Sequence, residues 1–257
     1  MRNVGRLTAW LDRLFYPEFG QNWDDKLFRR EILSRINSGM DVLDLGAGAG
    51  ILPDMNFRGS VNHVSGIDPD PRVLQNPYVD SAKIGCGELL PYPDQSFDVV
   101  FADNVLEHLE APLLVFKEVQ RVLRPGGIFL VKTPNRWHYI PIIASLTPHW
   151  FHQVVNRWRG RESGDTFPTV YRANSVSRLR ELAATSGFVI VNTYTFEGRP
   201  EYLRKLWPFY LCGIIYERTV NRFRVLQSLR VGIVGSFRAR VESQMLCNEP
   251  VDPRFND

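Results

Sequence analysis

Three glycines and an aspartate are the first residues whose types and spacing suggest chemistry. Gly46, Gly48 and Gly50 alternate with alanines directly after an apolar run, and Asp44 lies two residues before the first of them. Glycines at such a strand end let the backbone approach a ligand closely. The dinucleotide pattern GxGxxG would need glycine at position 51, where Ile51 stands. Asp44 favours instead a ligand with positive charge, such as an amino group or a sulfonium.

A second acidic residue follows eighteen residues after the glycine loop, in Gly66-Ile-Asp68. A carboxylate at the end of a second strand can accept hydrogen bonds from both hydroxyls of a ribose. An aspartate that merely forms a turn before Pro69 would leave the same sequence. The glycine loop upstream favours the ribose interpretation.

The elements that must position these residues alternate in type. Apolar runs predict strands near 40–45, 61–67, 82–84, 96–102 and 127–132, with helical spacing between several of them. This alternation predicts an α/β fold with a parallel, doubly wound sheet. In such sheets, ligands bind at the carboxyl ends of the strands.

Two further segments complete an ordered set of four motifs. Residues 96–108 read SFDVVFADNVLEH, a strand that runs into a polar loop, and residues 121–127 read RVLRPGG, a helix end and a turn. With the glycine loop and Asp68, these segments resemble a class I S-adenosylmethionine-dependent methyltransferase of the ubiquinone- and menaquinone-type group, over about residues 40–133. The resemblance implies a Rossmann-like sheet of seven strands, the last one antiparallel, and S-adenosyl-L-methionine as cofactor.

The resemblance also implies which residues bind the cofactor. Asp44 and the glycine loop would hold its methionine part, Asp68 its ribose, and later loops its adenine and sulfonium. The implied residues are Asp44, Gly46, Ala47, Gly48, Gly50, Asp68, Pro69, Cys86, Gly87, Glu88, Ala102 and Asn104.

Two positions depart from the pattern of these relatives. Cys86 stands where relatives commonly have an aspartate that accepts from the adenine amino group. Asn104 stands where some quinone-type relatives have an acid of a metal site, of which this chain keeps Glu107 and His108. We therefore predict no metal.

The chain is predicted to be a single domain over 1–257, with four parts. A helical cap covers 1–39, and the cofactor-binding core covers 40–133. Residues 134–171, rich in Pro, Trp and His, are predicted to be a hydrophobic lid insertion. Residues 172–257 complete the sheet, with a helix at 175–186, strands at 188–196 and 229–240, and an aromatic helix at 200–223 between the strands.

Methyl transfer to a hydroxyl needs a base to remove its proton. Three of the five histidines, His138, His149 and His152, lie in the predicted insertion, which is expected to cover the acceptor. For any one of them alone, packing is the more common role, but taken together they favour a histidine near the acceptor. His149, between Pro148 and Trp150, is the first choice as base, and His152 and His138 are the others.

Charge is unevenly distributed along the chain. Residues 1–133 carry 14 basic and 18 acidic residues, whereas residues 134–257 carry 17 and 10. In the second half, aromatic and aliphatic runs at 137–151 and 202–216 are flanked by arginines, which suits a helix on an anionic bilayer or a lid over a lipid-linked acceptor. Packing on the sheet is the plain alternative. Nucleic acid is disfavoured because the arginines are spread among large aliphatics.

Composition narrows the remaining possibilities. Apolar residues make up 44% and charged residues 23%, which excludes disordered and collagen-like chains. Three scattered cysteines indicate a reducing compartment, and the longest apolar stretch is too short to span a bilayer. We predict a cytoplasmic enzyme, peripheral to the membrane or not, that O-methylates a hydrophobic small molecule. Methylation of a sugar or polar natural-product intermediate, cofactor binding without turnover, and nicotinamide-dependent oxidoreduction remain alternatives.

Overall fold

A single seven-stranded sheet organises the molecule in the computed structural model, which describes residues 5–20, 22–146 and 168–241. The strands run in the order β3-β2-β1-β4-β5-β7-β6. Their bounds are β1 Asp41–Leu45, β2 His63–Asp68, β3 Ser81–Ile84, β4 Phe97–Asp103, β5 Leu123–Pro134, β6 Phe188–Phe196 and β7 Gly232–Ala239. Strands β1 to β5 are parallel, and β7 is antiparallel to both β5 and β6. The predicted seven strands and antiparallel last strand are confirmed.

Six α-helices surround this sheet within the described ranges. Their bounds are α1 Arg6–Phe15, α2 Trp23–Leu33, α3 Pro112–Val122, α4 Tyr139–Leu146, α5 Val176–Thr185 and α6 Trp207–Arg222. Short 3₁₀ turns form at Pro71–Gln75, between β2 and β3, and at Leu106–His108, between β4 and α3. No described helix has the length and apolar character needed to cross a bilayer.

Burial on both faces explains why the strands are so apolar. One core packs α3 and α5 against one face through Phe116, Leu179 and their neighbours, and the other packs α2 on the opposite face through Phe28 and Ile32. Parallel strands covered on both sides carry near-continuous hydrophobic runs, as β1 and β4 do.

The aromatic helix begins later than predicted. Residues 201–206 form turns, and α6 starts at Trp207 with Pro208 in its first turn. Proline has no backbone N–H to donate and is tolerated there, because the first N–H groups of a helix lack partners within the helix. Within the predicted lid insertion, α4 accounts for its first part, and residues 147–167 lie outside the described residues.

Candidate cofactor and acceptor site

The glycine loop turns sharply at the carboxyl end of β1. The N–H groups of Gly46 and Ala47 both donate to the carbonyl oxygen of Ile67 on β2, at 2.8 and 3.2 Å. Gly46 has φ +82°, and a Cβ there would lie 2.3 Å from Cγ2 of Val105. At Gly48, φ is +52°, and the nearest atom to a Cβ would be a carboxylate oxygen of Asp68, 4.0 Å away. The first glycine is therefore required by packing, whereas the second borders open space.

Asp68 lies at the end of β2 and holds the glycine loop in place. Its Oδ2 accepts from the N–H of Gly48 at 2.9 Å, and its Oδ1 accepts from the N–H of Asp70 at 2.8 Å. Its carbonyl oxygen accepts from the N–H of Gly85 at 3.1 Å, which brings the loop after β3 alongside. The two motifs that the sequence singled out thus meet at one sheet edge.

Asn76 supports the same loop and was missed by the sequence analysis. Its Nδ2 donates to the carbonyl oxygens of Ala47 and Gly48, at 2.9 and 3.2 Å. A Cβ on Gly50 would lie 2.3 Å from Oδ1 of Asn76, so this third glycine is required by close packing. An asparagine twenty-six residues beyond the last loop glycine carries no local pattern that would have revealed it.

Asp44 is buried beneath the loop and forms no hydrogen bond with any described residue. Burial, together with the nearby carboxylates of Asp103 and Asp68, raises its pKa well above the ordinary value. A buried carboxylate without partners is costly unless a ligand supplies the opposite charge.

Asp103 forms a second buried carboxylate at the end of β4, which the sequence analysis did not select. Its Oδ1 lies 3.0 Å from Nζ of Lys132, and its Oδ2 has no hydrogen-bond partner in the described part of the chain. Burial raises the pKa of Asp103 to about 7, although Lys132 opposes this shift. Asp44 and Asp103 therefore place two buried carboxylates at the carboxyl ends of adjacent strands.

Lys132 connects this pair to the N-terminal helix α2. Its side chain is almost fully buried on β5, and its Nζ contacts the carboxylates of Asp25 and, at 3.3 Å, Asp24. Burial opposes the charge, but the carboxylates of Asp103, Asp24 and Asp25 together raise the pKa of Lys132. The lysine stays protonated, and its charge is shared among three carboxylates.

The remaining implied cofactor residues differ in accessibility. After β3, Cys86 is exposed, Glu88 is half-buried, and Gly87 is buried. Pro69 is exposed after β2. These residues occupy the same sheet edge as Asp68, where the resemblance implies the adenine.

The two residues implied on the sulfonium side are arranged differently from each other. The Ala102 side chain is fully buried in the core, which leaves only its backbone to face a ligand. Asn104 is exposed with φ +54°, donates from Nδ2 to Oδ1 of Asp103 at 2.9 Å, and donates from its backbone N–H to Lys132. Asn104 thereby helps to orient the Asp103 carboxylate.

Hydrogen bonds between buried side chains connect Glu107, after β4, with Thr133 on β5 and with Asn174. Oγ1 of Thr133 donates to Glu107 at 3.2 Å and accepts from Nδ2 of Asn174 at 2.6 Å. The Oδ1 of Asn174 is buried and has no partner among the described residues. His108 lies beside Glu107, and its Nδ1 is 2.9 Å from the carbonyl oxygen of Pro168.

A histidine–glutamate pair lies where β5, β6 and β7 meet. His138 follows β5, Glu197 follows β6, and Nε2 of the histidine is 3.6 Å from Oε2 of the glutamate. Oε2 of Glu197 also accepts from the N–H of Val231, just before β7, at 2.9 Å. Burial lowers the pKa of His138 to about 4 and raises the pKa of Glu197 to about 8.

Tyrosines surround this pair. The ring centroid of Tyr139 lies 4.0 Å from that of His138, and Tyr216 of α6 contacts both rings at 5.7 and 4.9 Å. His149 and His152, the other two predicted bases, lie outside the described residues. Across the described ranges, no group of three or more His, Cys, Asp or Glu residues is arranged to hold a metal ion.

Comparisons with known proteins indicate the class of protein to which this arrangement of residues is similar. Residues 43–131 match a family model described as a methyltransferase domain. The matched residues run from β1 into β5 and include the glycine loop, Asp68 and the segments 96–108 and 121–127. Over these residues the chain is similar to class I S-adenosylmethionine-dependent methyltransferases, and S-adenosyl-L-methionine is the cofactor of that class.

Curated relatives support the same class. A protein of Mycolicibacterium smegmatis, whose name places it among the S-adenosylmethionine-dependent methyltransferases, is 35% identical over 161 residues, which cover 61% of this chain and 54% of that protein. A ubiquinone biosynthesis O-methyltransferase of Azorhizobium caulinodans is 30% identical over 132 residues, which cover 47% of this chain and 52% of that enzyme. The chain thus spans about half the length of these relatives.

Solved structures support the fold alone. The structure of the [4+2]-cyclase SpnF aligns with a TM-score of 0.54 and 19% identity, covering 86% of this chain and 82% of that one. A cyclase with this fold illustrates that fold does not determine reaction.

Proposed function

We propose that this protein transfers a methyl group from S-adenosyl-L-methionine to a hydroxyl of a hydrophobic or lipid-linked small molecule at a membrane surface. The observation that carries the transfer is the pair of buried carboxylates, Asp44 and Asp103, beside the open space at Gly48. The cofactor carries an ammonium and a sulfonium, so it supplies the positive charge that these carboxylates lack.

Positioning is the main task of the protein in this reaction. The sulfonium is a strong leaving group, and aligning nucleophile, methyl and sulfur contributes up to roughly 7–11 kcal/mol. In this proposal Asp68 binds the ribose hydroxyls, the 86–88 loop borders the adenine, and Asp44 with Asp103 binds the ammonium. The backbone at Ala102 and Asn104 faces the sulfonium.

His138 is our candidate for the base, with Glu197 as its partner. A neutral imidazole is required to accept a proton, and the lowered pKa of His138 keeps it neutral. When Glu197 is ionised, its carboxylate 3.6 Å away stabilises the imidazolium that forms on proton uptake. Because the pKa of Glu197, about 8, is higher than that of His138, about 4, the proton leaving the acceptor hydroxyl would pass by way of the histidine to the ionised Glu197.

The hydrophobic nature of the acceptor is supported by the surroundings of this pair. Aromatic rings of Tyr139 and Tyr216 line it, and Trp137 beside them is half exposed. A relative named a ubiquinone biosynthesis O-methyltransferase acts on a molecule of that kind, which supports the assignment by analogy.

Calorimetric titration with S-adenosylhomocysteine tests the cofactor site. We expect Asp68→Ala to weaken binding about 100-fold, because two hydrogen bonds to a charged group are lost. Asp94→Ala, which removes an exposed carboxylate before β4 at the opposite sheet edge, is the matched control. Binding of NAD in preference to S-adenosylhomocysteine would refute the proposal.

Turnover is tested separately, by methyl transfer to phenolic and isoprenoid alcohols. Formation of S-adenosylhomocysteine with such an acceptor would support O-methylation. Transfer only to sugars or polar metabolites would show that the acceptor is polar rather than hydrophobic. Tight cofactor binding without turnover on any acceptor class would favour a cofactor-binding protein without catalytic activity.

A further inference from the structure

Helices α1 and α6 form one packed unit although they lie almost 200 residues apart in sequence. Leu11 and Tyr16 of α1 pack against Tyr210 and Ile214 of α6. Asp12 of α1 accepts from the hydroxyl of Tyr210, at 2.5 Å, and pairs with Arg204 just before α6. We call the exposed sides of these two packed helices the α1–α6 surface.

Helix α1 contributes an exposed apolar stripe to this surface. Leu7, Trp10 and Leu14 follow one another at spacings of three and four residues, which places them on one side of the helix. All three are more than half exposed, Trp10 at 56%. Packing against α6 uses the neighbouring side and leaves this stripe in solvent.

Helix α6 contributes a second stripe. Trp207, Leu211 and Ile215 are spaced four residues apart and exposed, Trp207 at 51%. The buried residues of α6, such as Tyr210 and Ile214, lie on the other side of the helix. Each of the two packed helices thus exposes a tryptophan and two aliphatic residues in a row. On an ordinary protein surface, exposed apolar residues are scattered singly.

Arginines border both stripes. Arg6 and Arg13 lie on α1 beside its stripe, and Arg222 continues the stripe of α6 toward its end. All three are exposed and form no ion pair with a described carboxylate. Apolar stripes bordered by unpaired arginines are typical of helices that lie in the interface of an anionic bilayer.

We infer that the α1–α6 surface docks on an anionic lipid bilayer, with both tryptophans inserted among the headgroups and the arginines on lipid phosphates. Positive charge complements an anionic lipid surface, and a second copy of this chain would bring like charges together. Docking of this surface serves the proposed function and rests on it, since a membrane enzyme with a lipid-linked acceptor needs a surface that contacts the bilayer.

The opposite side of α6 connects this surface to the candidate acceptor site. Tyr216 of α6 contacts the rings of His138 and Tyr139, whereas Ile215 beside it in sequence is exposed on the docking surface. Helix α6, about 10 Å in diameter, thus lies between the docking surface and the candidate base.

Sedimentation with vesicles tests the surface without cofactor or turnover. The full chain is mixed with vesicles of phosphatidylcholine alone and of phosphatidylcholine with phosphatidylglycerol. We expect sedimentation only with the anionic vesicles, and a loss of at least about tenfold in partition coefficient for the double variant Trp10→Gln/Trp207→Gln. The double variant Arg6→Gln/Arg13→Gln should weaken binding and flatten its dependence on salt.

Leu114→Gln is the matched control, because Leu114 is an equally exposed apolar residue on α3, which is not part of the α1–α6 surface. Thermal unfolding and S-adenosylhomocysteine binding verify that each variant is folded. Equal sedimentation of wild type and tryptophan variant, or no sedimentation of wild type, would overturn the inference. So would a dimer of the wild type that the tryptophan variant abolishes. Vesicle binding without methyl transfer would refute the proposed function and leave the docking surface intact.

Discussion

The cofactor half and the acceptor half of the site use opposite electrostatic designs. At the ends of β1 and β4, the carboxylates of Asp44 and Asp103 are buried, and Oδ2 of Asp103 has no hydrogen-bond partner among the described residues. Lys132 partly balances the charge of Asp103. Around the ends of β5 and β6, the His138–Glu197 pair is enclosed by tyrosines, and burial drives both groups toward their neutral forms. In the proposed reaction, the first half would bind the cationic cofactor, and the second half would bind an uncharged, apolar acceptor.

The difference indicates which half depends on its ligand. Unpaired buried carboxylates destabilise a fold by their desolvation cost until a counter-charge arrives. A neutral pair inside an aromatic cluster has no such requirement. We therefore expect cofactor binding to change stability and protonation strongly, whereas acceptor-side changes should appear mainly in turnover.

Replacement of His138 should give the largest effect. We expect His138→Gln to lower kcat by about 100-fold or more, the range of general-base catalysis, and to leave S-adenosylhomocysteine affinity within about twofold. Because the raised pKa of Glu197 is about 8, wild-type kcat should increase with pH up to that value. The variant should lose this limb of the profile.

His63→Gln is the control for this measurement, since His63 begins β2 at the opposite sheet edge and contacts Ser81. An unchanged pH profile in His138→Gln, with kcat near that of wild type, would remove His138 from the mechanism. One of the histidines outside the described residues would then become the candidate.

Two glycine substitutions separate folding from ligand binding within the cofactor half. Gly46→Ala combines a positive φ with a clash against Val105 and should lower the free energy of unfolding by roughly 2–4 kcal/mol. Gly48→Ala meets no neighbour and should cost only about 1–2 kcal/mol from its positive φ. Its methyl group would enter the space left for the ligand, so cofactor affinity should decrease at least about tenfold.

Thermal unfolding with and without S-adenosylhomocysteine measures both quantities. Gly48→Ala should remain folded but gain little stability from the ligand. If Gly48→Ala bound as tightly as wild type, the open space at this glycine would not be the ligand site.

Sequence was sufficient where neighbours in space are also neighbours in a motif. Asp44, the glycine loop and Asp68 could be selected because a strand end, a tight turn and a second strand end follow one another along the chain. The alternation of apolar runs likewise predicted the strands, and the signal was strongest in β1 and β4, which are buried on both faces.

Residues brought together by distant parts of the chain could not be predicted. Asp103 looked like an ordinary residue at a strand end, because its partner Lys132 and the supporting Asp25 come from other elements. Glu197 gained its role only when β6 placed it beside His138. Similarly, the sequence predicted a helical cap over 1–39, but the packing of α1 against α6 could be seen only in the folded structure.

The last predicted effect, the smallest when expressed per pH unit, concerns the charge of the cofactor half itself. The folded protein holds a proton on Asp103 up to pH about 7, whereas the unfolded chain releases it near pH 4. Asp103 therefore lowers stability as pH rises between these values, by at most about 1.4 kcal/mol per pH unit.

The free energy of unfolding, measured with urea at several pH values, tests this contribution. In Asp103→Asn, the contribution of Asp103 to its slope against pH should disappear, while the contributions of Asp44 and Glu197 remain. Asp94→Asn controls for the loss of a surface carboxylate. A saturating cofactor should reduce the difference between wild type and Asp103→Asn at pH 7, because its ammonium lowers the pKa of Asp103 and favours the ionised form. If the slope of Asp103→Asn equalled that of wild type, this carboxylate would already be ionised beside Lys132, and the cofactor half would be balanced before its ligand arrives.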